Sequence, residues 1–144
     1  MTVTYEIGPE ELRERLRAAG LRPTRQREAL WLLLFRGGDR HVTAEALHRE
    51  AMQAGEQVSL ATVYNTLHQF TQAGLLREVV VDSGRAYFDT NTSRHHHFFN
   101  TATQELADIP GHAIAVGGLP EAPEGTEVED VEVVVRVAPR RSRM

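Results

Sequence analysis

The chain has 144 residues, of which 41% are hydrophobic and 25% charged, a composition typical of a globular protein with one moderate core or two small ones. It contains no cysteine, so disulfides and thiolate metal sites are excluded and any metal ion must be held by histidine, aspartate or glutamate. No apolar run reaches the ~20 residues that span a bilayer, and the first residues lack the profile of a signal peptide. We therefore expect a cytoplasmic protein without a membrane partner.

The formal net charge of -4 conceals an uneven distribution of charge along the chain. Six arginines and one glutamate lie between positions 13 and 27, which predicts a basic surface suited to phosphates. Between positions 89 and 135, nine acidic residues accompany a single arginine, which predicts a half suited to cations. The sequence thus indicates a nucleic-acid-binding half followed by a cation-binding half.

The first half of the chain carries the start and stop signals of four helices. We predict a short helix opened by Pro9 and closed by Gly20, a helix from Arg25 to Phe35 after the cap Thr24, a helix between the cap Thr43 and Gly55, and a helix from the cap Ser59 to Ala73. Two β-type runs follow, Leu75 to Val81 and Arg85 to Phe88, separated by the turn residues Asp82, Ser83 and Gly84. Helices followed by a hairpin predict a winged helix-turn-helix domain.

The fourth helix has the pattern of a recognition helix, which enters the major groove of DNA. Val63, Leu67 and Phe70 recur at helical spacing and define its buried face. Its polar face and the arginines before the second helix supply the candidate DNA contacts: Arg22, Arg25, Ser59, Thr62, Tyr64 and Asn65. The alternative is an ordinary amphipathic helix, with arginines that are simply solvated.

From about position 89 the sequence becomes rich in predicted strands. We predict strands at His95 to Phe99, Glu105 to Ile109, His112 to Val116 and Glu127 to Val137. So few strands rarely fold alone, so pairing with a second copy of the chain is expected.

Three consecutive histidines occupy the first of these strands. Because side chains alternate along a strand, His95 and His97 project to one face and His96 to the other. Two imidazoles on one face, with Asp89 and Asp108 nearby, could ligate Zn, Fe or Mn. Exposed histidines without a ligand are the alternative.

Taken together, the motifs resemble the ferric uptake regulator family over nearly the whole chain. They are Leu21 to Arg27, His41 to Leu47, Ser59 to Tyr64, Gly74-Leu75 and the His-x-His element at 95 to 97. The resemblance implies an α+β protein that binds palindromic operators as a homodimer. We accordingly expect an N-terminal winged helix-turn-helix DNA-binding domain at 1–88, a hinge at 89–94, a small α/β dimerisation and metal- or haem-sensing domain at 95–138, and a flexible tail at 139–144.

The resemblance also implies a sensory metal site with five ligands: His41, Asp89, His95, His97 and Asp108. An ion bridging His41 of the first domain to ligands of the second would fix the orientation of the two winged helices in a dimer, and hence the half-site spacing. Divalent Fe, Mn or Zn is the expected cofactor.

Departures from the family pattern point to one of its branches. Asn100 to Thr103 stands where the family has the first Cys-x-x-Cys of a structural zinc site, so that site is absent and another source of rigidity is needed. The triplet His95, His96 and His97 resembles the iron response regulator branch, which implies haem binding at these histidines and, as a partner, a haem-delivering protein. The predicted function is therefore a DNA-binding regulator of iron and haem homeostasis.

Three other functions are weighed against it. A manganese- or zinc-responsive regulator and a peroxide sensor belong to the same family. A small metal-dependent hydrolase is disfavoured, because no general base is evident beyond the ligands and the recognition helix would have no use.

Overall fold

The computed structural model describes residues 7–82 and 84–141 of the chain. It consists of two compact units, and the division falls between Thr92 and Ser93. Ser83 of the predicted turn, the first six residues, and residues 142–144 of the predicted tail lie outside the described residues. Among the described helices, none is both long enough and apolar enough to span a bilayer.

Four helices lie in the first unit, close to the predicted bounds. They are α1 (Pro9–Ala18), α2 (Arg25–Phe35), α3 (Ala44–Gln53) and α4 (Leu60–Gln72). The hydroxyls of Thr24, Thr43 and Ser59 accept hydrogen bonds from the first-turn amides of α2, α3 and α4. The chain leaves α1 through Gly20 at a φ of 81°, a left-handed conformation that glycine adopts without strain.

The core of the first unit is formed by the apolar faces of these helices. Its most deeply buried members are Leu16, Leu34, Leu47, Leu67, Phe70 and Phe88. Burial of each such side chain contributes about 1.5 to 3 kcal/mol, so this core holds α4 with its polar face outward.

A three-stranded antiparallel sheet completes the first unit. It comprises β1 (His41–Val42), β2 (Arg77–Asp82) and β3 (Arg85–Asp89), in the order β1-β3-β2. The predicted β2–β3 hairpin is confirmed. Strand β1 was not predicted, because two residues are too few to show a period, and it places His41 directly opposite Asp89.

The second unit contains β4 (His95–Asn100), β5 (Leu106–Pro110), a 3₁₀ turn (Gly111–Ala113) and β6 (Val134–Val137). Their order is β5-β4-β6, with β5 antiparallel and β6 parallel to the central strand. The first two predicted strands are confirmed with shifts of one residue. The predicted α+β class is also confirmed, although no α-helix occurs among residues 93–141.

Two strand predictions in this unit need correction. The strand predicted at His112 to Val116 is wrong, because His112 lies in the 3₁₀ turn and no strand follows before β6. The strand predicted from Glu127 to Val137 begins only at Val134. The backbone N–H of Val133 donates to the imidazole of His96 instead of a main-chain carbonyl, so the ladder with β4 starts after it.

Candidate metal centre and DNA-contacting helix

In the first unit, His41 and Asp89 form a pair across β1 and β3. His41 Nε2 lies 3.4 Å from Asp89 Oδ2, and the Asp89 side chain is 1% exposed. The other carboxylate oxygen, Oδ1, accepts the backbone N–H of Asn91 at 2.8 Å. This bond fixes the carboxylate, so that Oδ2 faces the imidazole.

Arg40 holds the strand that carries His41. Its guanidinium makes a bidentate pair with Glu50 of α3, at 2.9 and 2.7 Å, and donates to the carbonyl of Leu33 in α2. Its backbone carbonyl accepts the N–H of Thr90 at 3.1 Å, next to Asp89. The His41–Asp89 pair is therefore anchored to two helices of the core.

In the second unit, His95, His97 and Asp108 converge on one face of the sheet. His97 is the register partner of Asp108, and the Nε2 atoms of both histidines lie 3.4 Å from Asp108 Oδ1. Both imidazoles are buried, and their ring centroids are 4.5 Å apart. Strand alternation thus brings these predicted ligands together.

The other nitrogen of each ring reveals which nitrogen carries a proton. His95 Nδ1 lies 2.7 Å from the carbonyl oxygen of Ser93, and His97 Nδ1 lies 3.0 Å from Glu132 Oε1. Both oxygens can only accept, so both Nδ1 atoms donate. In the neutral rings the lone pairs are then on the Nε2 atoms, the atoms that face Asp108.

Both Nε2 atoms and a carboxylate oxygen are thus metal-ligating atoms directed at one point. Atoms bound about 2.0 to 2.2 Å from one divalent ion are about 3 to 3.5 Å apart, which matches the 3.4 Å distances from each Nε2 to Asp108 Oδ1. The donor set and its spacing fit a metal ion.

His96 lies on the opposite face of β4, as predicted. It is paired with Ile109 and is 8% exposed, and its Nδ1 accepts the backbone N–H of Val133 at 3.0 Å. A backbone amide can only donate, so the proton of the neutral ring is on Nε2. Neither nitrogen of His96 offers a free lone pair in this arrangement.

The predicted DNA contacts all lie in the first unit. Tyr64 is 42% exposed, and Asn65, Ser59, Arg22 and Arg25 are exposed, whereas Thr62 is half-buried. Arg25 pairs with Glu56 at 3.7 Å, and the Ser59 hydroxyl donates to that of Thr62 at 2.9 Å. The exposed positions of α4 are Leu60, Ala61, Tyr64, Asn65 and Gln72, so they combine polar groups suited to base edges with apolar ones suited to a thymine methyl.

Behind this face, α4 is fixed to α2. The guanidinium of Arg27 donates to Gln69 Oε1 at 3.0 Å and to the carbonyl of Arg22 at 2.7 Å. The Tyr64 ring packs 4.7 Å from that of His68, which in turn contacts Phe88 edge-on. These contacts hold α4 against α2 and β3 behind its exposed face.

Comparisons with known proteins identify the family of this chain. The model of the ferric uptake regulator family matches residues 18–136. This chain belongs to the ferric uptake regulator family. Its members are metal-responsive regulators of transcription and not enzymes, and this chain is one of them.

Individual members of the family are similar to this chain in sequence and in structure. The ferric uptake regulation protein of Pseudomonas aeruginosa is 43% identical over 95 residues, which are 65% of this chain and 71% of that protein. The structure of the ferric uptake regulator from Pseudomonas aeruginosa with manganese has a TM-score of 0.68 at 31% identity and covers 89% of this chain and 97% of that one. The ferric uptake regulator of Vibrio cholerae shares the fold, with a TM-score of 0.68 at 21% identity and coverages of 88% and 98%.

Residues Asn100 to Thr103, where the sequence predicts that a structural zinc site is absent, form a tight turn. The Asn100 side-chain oxygen accepts the backbone N–H groups of Ala102 and Thr103, at 2.9 and 3.1 Å. The Asn100 carbonyl accepts the N–H of Gln104, whose φ is 63°. The side chain and the carbonyl of Asn100 thus hold this turn with three hydrogen bonds.

One contact of the candidate site was not predicted. Glu132 reaches His97, yet it lies in an acidic stretch where it is indistinguishable from its neighbours. Valines alternate with it at positions 131 and 133, but β6 begins only at Val134, so a strand period does not place its side chain.

Proposed function

We propose that this protein is a regulator of iron homeostasis that binds operator DNA as a homodimer and responds to a divalent metal ion. The ion would be held by His41 and Asp89 of the first unit together with His95, His97 and Asp108 of the second. The observation that carries the proposal is the approach of His95 Nε2 and His97 Nε2 to Asp108 Oδ1, each at 3.4 Å. Operator binding implies the cytoplasm as the site of action.

Binding of DNA is assigned to α4 and the start of α2. Tyr64 can contact a thymine methyl and Asn65 an adenine edge, since both project from the exposed face of α4. Arg22 and Arg25 are exposed and suited to phosphates. Ser59 caps α4 by accepting the backbone N–H of Thr62, and the N-terminus of this helix would meet the DNA backbone.

Dimerisation is supported by the composition of the second unit. Among residues 93–141, two apolar side chains are buried, Phe99 and Ile109, whereas Phe98, Val116 and Leu119 are 41%, 43% and 53% exposed. Phe98 shares a sheet face with Ala107 and Val135, its register partners. A core this small does not stabilise a fold alone, so a second copy covering this face is the expected partner.

Because residues of both units would bind the same ion, metal binding would depend on the orientation of the two domains, and that orientation would depend on the metal. Bound there, the ion would supply the positive charge that the carboxylates and imidazole lone pairs require. Iron is the proposed physiological metal, in keeping with the family. The structure of the ferric uptake regulator from Pseudomonas aeruginosa with manganese supports Mn(II) as a laboratory substitute for testing.

The response to haem, and with it a haem-delivering partner, stays a prediction. Haem ligation by His96 would require the ring to give up the bond from Val133, and His95 and His97 would have to leave Asp108. The iron response regulator branch is supported by the sequence resemblance alone.

The proposal is tested with duplexes selected by the protein from a random-sequence DNA library in the presence of Mn(II). Their affinity is measured by fluorescence anisotropy with metal-free, Mn(II)-loaded and haem-loaded protein. We expect Mn(II) to raise the affinity at least tenfold. Equal affinities of the metal-free and Mn(II)-loaded protein would contradict the proposal.

The same anisotropy measurement tests whether haem changes the affinity for DNA. If haem acts through the triplet, haem lowers the affinity for the selected duplex, and His96→Ala removes that effect. An affinity unchanged by haem, in an experiment where Mn(II) changes it, excludes the haem response.

A further inference from the structure

We infer that Glu132 is the positioning residue of the metal centre: its carboxylate holds His97 in the tautomer and orientation that present Nε2 to the ion. This inference rests on the proposed function and names a residue outside the five-ligand set. The carrying observation is the 3.0 Å contact between Glu132 Oε1 and His97 Nδ1.

The contact lies on the side of the ring away from the metal ligands. His97 is fully buried, and its Nε2 faces Asp108 while its Nδ1 faces Glu132. The carboxylate is thus separated from the ion by the imidazole and acts on it through the ring. A carboxylate accepting from the distal N–H of a ligating histidine fixes the tautomer and makes the other nitrogen a better donor to metal.

The segment that carries Glu132 is fastened to β4 at the next residue. The Val133 carbonyl accepts the backbone N–H of His97 at 3.1 Å, and the Val133 N–H donates to His96 Nδ1 at 3.0 Å. Val134 then begins the parallel ladder as the register partner of His97. Both backbone groups of Val133 are used, so the backbone position from which Glu132 extends is fixed.

The two histidine ligands of this unit differ in their supports. His95 Nδ1 donates to a backbone carbonyl, that of Ser93, which no side-chain substitution removes. His97 depends on a side chain for the same purpose. This structure therefore predicts that one substitution at Glu132 weakens one ligand selectively.

The test compares four variants of the full chain: Glu132→Ala, Glu132→Gln, Glu129→Ala and His97→Ala. Glu129 is an exposed acid of the same segment and controls for the loss of one negative charge. The Glu132→Gln variant retains a side-chain oxygen able to accept from Nδ1. Mn(II) affinity is measured by competition with a fluorescent chelator.

We expect Glu132→Ala to lower the Mn(II) affinity about 10- to 100-fold, with Glu132→Gln falling between it and the wild type. Glu129→Ala should bind as the wild type does. An unchanged affinity of Glu132→Ala overturns the inference. An equal loss of Mn(II) affinity in Glu132→Gln and Glu132→Ala also overturns it, because the acceptor oxygen that glutamine retains would then make no difference to metal binding.

A second readout uses the metal-free protein. Long-range ¹H–¹⁵N NMR spectra report which ring nitrogen of His97 carries the proton. We expect Nδ1–H in the wild type and in Glu132→Gln, and a shift toward Nε2–H in Glu132→Ala. A ring that keeps Nδ1–H in Glu132→Ala contradicts the positioning role, because a merely structural carboxylate would leave the tautomer unchanged.

His97→Ala separates this inference from the proposed function. If His97→Ala abolishes high-affinity Mn(II) binding and Glu132→Ala does not weaken it, the positioning role alone fails. If His97→Ala also binds Mn(II) as the wild type does, the metal site itself is wrong and the inference falls with it.

Discussion

Gly111 packs closely against the segment that leads into the proposed metal centre, and substitution by alanine tests this packing. A Cβ at this position would lie 2.6 Å from the backbone oxygen of Arg94, whereas ordinary contact begins at 3.4 Å. Substitution by alanine therefore requires a displacement of about 0.8 Å, the difference between the two distances. The opposing atom belongs to the backbone, so no side-chain rotation can absorb the shift.

The displaced segment leads directly into the proposed metal ligands. Arg94 lies between Ser93, whose carbonyl orients the His95 ring, and His95 itself. Ligand constellations tolerate errors of about 0.5 Å, so a shift of about 0.8 Å exceeds the tolerance. We expect Gly111→Ala to lower the Mn(II) affinity about tenfold or more and to destabilise the fold by about 1 to 3 kcal/mol.

Gly117→Ala is the matched control, because nothing lies within 4 Å of a Cβ at Gly117 and its φ is not positive. Mn(II) affinity by chelator competition and thermal unfolding by circular dichroism are measured on the same samples of both variants. Wild-type Mn(II) affinity in a folded Gly111→Ala protein would refute the link between this close approach and the ligand geometry.

Three further substitutions test other parts of the structure. Tyr64→Ala should weaken binding to a selected operator by about 1 to 3 kcal/mol per lost base contact, and unchanged discrimination against unrelated DNA in anisotropy titrations would show that α4 is not the reader. Leu67→Ala should lower the free energy of unfolding by about 2 to 5 kcal/mol in urea titrations, whereas Met52→Ala, at an exposed position of α3, should change it by less than about 0.5 kcal/mol; equal effects would contradict the described core. Asn100→Ala removes two side-chain hydrogen bonds and should cost about 1 to 3 kcal/mol, and an unchanged melting temperature would mean that the turn is stabilised otherwise.

The helices of the first unit follow from local chemistry and could be predicted. A hydroxyl at Thr24, Thr43 or Ser59 satisfies amides of the next turn whatever the rest of the chain does. The period of apolar residues then decides which face of each helix is buried. The polar face of α4 was predicted for this reason.

The pairing of distant strands could not be predicted in the same way. The opposition of His41 and Asp89 depends on β1, which is two residues long and exists because β3 pairs with it. Residue spacing carries no information about that partner. The ligand role of His41 therefore came from family resemblance.

The contact of Glu132 with His97 in the second unit could not be predicted either. Glu132 precedes β6, and its contact with His97 depends on the parallel register that pairs His97 with Val134. The sequence holds no signal for that register. The predicted strand at His112 to Val116 failed for a related reason: Ile114 and Val116 fit a strand pattern, but no neighbouring strand pairs with them.

The most direct test of the account is the operator affinity of His41→Ala with and without Mn(II). His41 belongs to the first unit, and it is the residue whose loss should uncouple metal from DNA binding while the second unit keeps His95, His97 and Asp108. The account predicts that the variant folds and binds the selected duplex as weakly as metal-free wild type, with no increase on adding Mn(II). A wild-type increase in affinity in His41→Ala would contradict it.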